Sequence, residues 1–126
     1  MALRRVLVVD DDADMRQSVR MILAKAGYEV IVAEDGAKAI AAVQAGGKLP
    51  PIDLVLCDLY MPNVNGVEAV TYLRSHFPSV QVIAMTGSQD TSSAQALFKQ
   101  GIAEFLLKPF GPSELLGAIE KALKNR

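Results

Sequence analysis

The sequence predicts an α/β domain, a doubly wound, five-stranded parallel sheet covered by helices on both faces. Strand-like apolar runs alternate with helix-period segments from one end of the chain to the other. Four of those runs end on a polar residue suited to phosphate or a divalent cation: Asp10, Asp58, Thr86 and Lys108. Parallel strands would bring all four to one sheet edge, where open α/β sheets place their sites. The length of 126 residues fits a single domain over 1–126, and no linker, repeat or low-complexity tract divides it.

The elements follow in order. Val6–Val9 is the first strand and runs into Asp10-Asp11-Asp12. Met15, Val19, Ile22, Leu23 and Ala26 then fall on one helical face, and Gly27 stops that helix. Tyr28–Ala33 reads as the second strand, and Asp35-Gly36 opens a helix with Ala39, Ile40 and Val43 inward. The loop Gly46–Pro51 is forced by adjacent glycines and prolines. Leu54–Cys57 is the third strand, ending at Asp58. A turn at Asn63–Gly66 leads to a helix with Val67, Val70 and Leu73 inward, which stops before Pro78. Val80–Met85 is the fourth strand. Ser88–Gln100 is the least apolar of the helices, a composition that favours mobility, and Gly101 stops it. Glu104–Leu107 is the fifth strand. The last helix begins near Pro112 and buries Leu115, Leu116, Ile119 and Leu123.

Composition excludes several classes. Hydrophobic residues make up 51 % and the net charge is −1, so no bulk field draws the chain to nucleic acid or an anionic membrane. The single cysteine, Cys57, rules out an intramolecular disulfide and reads as a buried thiol. No apolar run approaches the ~20 residues that cross a bilayer, and the start lacks a secretory leader. The expectation is a cytoplasmic protein.

Asp10, Asp11 and Asp58 would crowd carboxylates whose mutual repulsion a cation relieves, and hard oxygen donors suit Mg²⁺. Asp58 has the chemistry to accept a phosphoryl group as an aspartyl-phosphate. Lys108 would neutralise a phosphoryl oxygen and Thr86 would donate a hydrogen bond to another. Asp12 and Asp14 read as helix caps or solvated first-turn acids. His76 reads as an exposed helix-end residue, and Met15, Met21, Met61 and Met85 as core filler. The acidic stretch after the first strand would repel a nucleotide phosphate.

Val8-Val9-Asp10-Asp11, Asp58-Leu59-Tyr60-Met61-Pro62, Asn65-Gly66, Met85-Thr86-Gly87 and Lys108-Pro109-Phe110 together resemble the motifs of the response-regulator receiver domain of two-component signalling. The resemblance spans essentially the whole chain. It implies a flavodoxin-like sheet of order 2-1-3-4-5. It also implies that Asp58 is the phosphoacceptor, with Lys108 and Thr86 as phosphoryl contacts. By the same resemblance, Asp10, Asp11, Asp58 and the Tyr60 backbone carbonyl would hold Mg²⁺, with Mn²⁺ as the alternative. Thr86 and Phe105 match the family's switch positions.

The implied partners are a sensor histidine kinase or phosphotransfer protein and a downstream protein target. The latter would dock on the surface of helix Ser88–Gln100, the fifth strand and the last helix. No direct DNA or membrane binding is expected, and the chain is expected as a monomer that can dimerise on phosphorylation. It is not expected to turn over outside substrates. Phosphatases of the haloacid-dehalogenase type carry an Asp two residues past the nucleophile, where Tyr60 stands here. Tyr60 and Ser88 correspond to the family positions that tune the lifetime of the phosphoryl group. The alternatives are a phosphorylation-independent adaptor, or the receiver segment of a larger response regulator or hybrid kinase.

Overall fold

The computed structural model describes residues 4–45, 51–59, 66–87 and 101–124. Its elements are β1 (Arg5–Val9), α1 (Ala13–Lys25), β2 (Glu29–Ala33), α2 (Gly36–Gln44), β3 (Leu54–Asp58), α3 (Gly66–His76), β4 (Gln81–Thr86), β5 (Glu104–Leu107) and α4 (Pro112–Lys124). The five strands form one parallel sheet in the order β2-β1-β3-β4-β5. The turn at Asn63–Asn65, the loop Gly46–Pro50 and the helix expected over Ser88–Gln100 lie outside the described residues, as does Met61.

Strand alternation divides the core into two layers. Leu7, Val9, Val55, Cys57, Val82 and Ala84 face one side, where Ala39 of α2 and Ala69, Val70 and Leu73 of α3 cover them. Val6, Val8, Leu54, Leu56, Ile83 and Met85 face the other, against Val19 and Leu23 of α1 and Leu115, Ala118, Ile119 and Ala122 of α4. Such two-sided burial is why β1 and β3 read as unbroken apolar runs.

Local sequence starts and stops the helices as expected. The Asp12 carboxylate caps α1, accepting from the Asp14 and Met15 amides, and Asp35 caps α2 through the Lys38 amide. Gly27 takes φ 97° just past α1. His76 is the exposed last residue of α3.

Three readings need correction. Ala26 is the exposed C-cap of α1 rather than a core residue. Met21 is 63 % exposed, because it lies about 200° around the helix from Val19. Leu116 and Leu123 are only half-buried at the margins of the face centred on Leu115 and Ile119. Among the described residues, no helix is long and apolar enough to cross a membrane.

Candidate functional site

Parallel register brings the chemistry together. Asp58 is the last residue of β3 and pairs with Met85; Thr86 ends β4 and pairs with Leu107. Asp10 follows β1, and its amide bonds Ala33 O at the end of β2 at 3.2 Å. Lys108 follows β5, and its amide bonds Thr86 O at 2.8 Å. The Lys108–Pro109 peptide is cis.

Asp10 has no exposed surface and Asp58 is 5 % exposed. The Lys108 ammonium lies between them, 2.8 Å from Asp10 Oδ2 and 3.4 Å from Asp58 Oδ2. The other Asp10 oxygen accepts from the Asp12 amide at 3.0 Å. Asp11 is the exposed member of the group. Carboxylate oxygens of Asp10, Asp11 and Asp58 all lie within 4.8 Å of one another.

Three carboxylates beside one ammonium leave the edge negative. Burial alone would lower the Lys108 pKa, but the hydrogen bond and charge of Asp10, joined by Asp58, hold it above the usual lysine value. Cys57 packs in the core one residue before Asp58, and its thiol is pushed up to about 12 by burial and by the charges of Asp58 and Asp10. The donor set, all hard oxygens with the exposed Asp11 on the solvent side, fits a small divalent cation that keeps some of its water.

Thr86 is half-buried at the rim. Phe105 pairs with Ala84, shares the sheet face of Thr86 by strand alternation, and packs against the layer under α2 and α3. Tyr60 lies outside the described residues.

Two buried or half-buried arginines escaped sequence reading, one of them at the site. Arg16 Nη1 donates to the Asp10 carbonyl at 2.7 Å. Arg5, which extends β1 by one residue, is buried at the opposite edge, with Nε 3.3 Å from Glu29 Oε1.

The model of the response regulator receiver domain matches residues 6–120. The chain belongs to that family. This receiver domain is 35 % identical to the chemotaxis protein CheY of Thermotoga maritima over 121 residues, 96 % of this chain and 98 % of the relative. It is 34 % identical over 122 residues to the DNA-binding response regulator MtrA of Mycobacterium tuberculosis, covering 97 % of this chain but 51 % of MtrA. It thus spans about half the length of the MtrA relatives it matches. The crystal structure of the chemotaxis protein CheY4 of Vibrio cholerae superposes with a TM-score of 0.88 at 33 % identity, covering 97 % of this chain and 100 % of the other. The fold, sheet order and membership of two-component signalling thus agree with the motifs at the strand ends.

Proposed function

We propose that this receiver domain accepts a phosphoryl group on Asp58 and uses it to change a protein-binding surface. The observation that carries this reading is the buried Asp58 carboxylate, grouped with Asp10 and Asp11 within 4.8 Å and approached by the Lys108 ammonium at 3.4 Å. A kinase or phosphotransfer partner presents a phosphohistidine. An Asp58 oxygen forms the new P–O bond as the P–N bond to the histidine breaks, and the imidazole nitrogen leaves with the bonding pair. Asp10, Asp11 and Asp58, with the Tyr60 carbonyl, would hold Mg²⁺ or Mn²⁺, which when bound supplies positive charge to the phosphoryl oxygens.

Lys108 stands beside Asp58 to pair with a second oxygen, and the Thr86 hydroxyl donates to a third. Movement of Thr86 toward the group vacates space that Phe105, on the same sheet face, can enter. The readout surface then includes β5 and α4, and a downstream protein docks there. Lys108 and Thr86 serve Asp58's own phosphorylation and hydrolysis rather than turnover of an outside substrate.

Incubation with acetyl phosphate and Mg²⁺ should add one phosphoryl mass increment, lost on Asp58→Asn and on chelation. Retention of the adduct in Asp58→Asn would move the site elsewhere. The partial coverage of MtrA supports a second reading, in which the same chemistry serves as the receiver segment of a larger regulator.

A further inference from the structure

Asp10 is engaged at each of its polar groups. Its amide donates to Ala33 O at 3.2 Å, Oδ1 accepts from the Asp12 amide at 3.0 Å, and Oδ2 accepts from Lys108 Nζ at 2.8 Å. Those three bonds are expected where a strand end enters a helix and meets an ion pair. The fourth is different in kind: the Asp10 carbonyl accepts from Arg16 Nη1 at 2.7 Å. The Arg16 amide bonds Asp12 O at 3.0 Å in the first turn of α1. From there its half-buried side chain turns back over the β1–α1 connection.

The carbonyl of Asp10 and the amide of Asp11 belong to one planar unit. Fixing the oxygen therefore fixes the direction in which the chain leaves for Asp11. Asp11 is the exposed carboxylate of the cluster, whereas its two companions are buried in the sheet edge.

We propose that Arg16 is a positioning residue: it sets the Asp10–Asp11 peptide plane and so holds the Asp11 carboxylate in reach of a cation shared with Asp10 and Asp58. The inference deepens the metal-assisted reading above and rests on it. Arg16 also adds a positive charge near an acidic cluster. A purely electrostatic Arg16 would weaken every divalent cation alike. Positioning is selective, because Mg²⁺ demands near-ideal octahedral geometry at short distances and Ca²⁺ accepts longer, variable coordination.

The test is titration calorimetry with Mg²⁺ alone and Ca²⁺ alone on wild type, Arg16→Met, Arg16→Lys and Asp11→Ala, with thermal melts to establish folding. Arg16→Met should lower the ratio of Mg²⁺ to Ca²⁺ affinity by about tenfold, the usual effect of removing an outer partner of a ligand. Arg16→Lys keeps the charge and a donor nitrogen, and should recover part of the ratio. Should Arg16→Met fail to fold, Arg16→Gln, whose side chain is shorter and uncharged, carries the same expectation. An unchanged ratio, or a parallel rise in both affinities, overturns the positioning role while leaving the metal site intact. Equal Mg²⁺ binding by wild type and Asp11→Ala overturns the metal reading, and this inference with it.

Discussion

Cys57 is fully buried one position before Asp58, and its raised pKa has a definite sign in stability. Its value in the fold is about 12 against 9.0 in the open chain. The unfolded thiol therefore loses its proton first as the pH rises. The contribution is complete below pH 9 and is lost progressively toward 12. At pH 9 to 10 the native thiol stays neutral and enclosed, so iodoacetamide should modify it about a hundredfold more slowly than the urea-unfolded chain, through opening alone. Equal rates would mean that the thiol is accessible. At this scale the sequence discloses what depends on residue type. Asp10, Asp11, Asp58 and Lys108 stand out because few side chains can bind a cation or a phosphoryl oxygen. Arg16 does not, because its acceptor is a main-chain carbonyl, a group that every residue carries.

Element boundaries slipped by single residues, and at the starts of β2 and β4 a turn claims the backbone group. Tyr28 is not the first residue of β2. Its amide bonds Leu23 O at 3.0 Å while the Gly27 amide bonds Ala24 O at 3.1 Å, the paired bonds of a Schellman motif closing α1. Val80 likewise donates to Phe77 O at 3.0 Å, which delays β4 to Gln81. Arg5 joins β1 despite its charge, because its amide bonds Asp53 Oδ2 at 2.9 Å and its guanidinium meets Glu29. The two glycines read as helix stops also differ. Gly27 at φ 97° has open space where a Cβ would point, whereas at Gly101, φ 86°, a Cβ would lie 3.3 Å from Arg74 Nη2. Arg74 bonds Pro78 O at 3.1 Å and Val80 O at 2.9 Å, tying α3 to the start of β4. Gly27→Ala should cost about 1 kcal/mol of backbone strain, and Gly101→Ala about 2 kcal/mol, since Arg74 must also shift. Urea midpoints at constant slope measure both. An equal cost at the two sites, or an excess at Gly101 that persists in an Arg74→Ala background, would show that Arg74 is not the obstacle.

For the molecule as a whole, alternation of segments was enough to specify a parallel sheet covered on both faces. Strand order was not, because pairing between strands distant in the chain leaves no periodic trace in either; the motifs' resemblance to a known family supplied it. The same separation governs how the site comes into being. Asp10 and Lys108 meet across 98 positions, and among the described residues β5 pairs with β4 at the edge of the sheet. The carboxylate cluster therefore waits on the closure that pairs β1 with β3, and Lys108 joins it only when β5 docks, long closures that are slow and entropically costly steps. A site formed after the folding barrier stabilises the native state without assisting the climb. Mg²⁺ at ten times its dissociation constant should thus slow unfolding by about tenfold and leave the refolding limb of the chevron unmoved. Acceleration of refolding instead would mean that β1 and β3 have already converged at the barrier. Cation binding thus reports the pairing of β1 with β3, and a chain stalled before β5 docks would carry three aspartates but no competent switch.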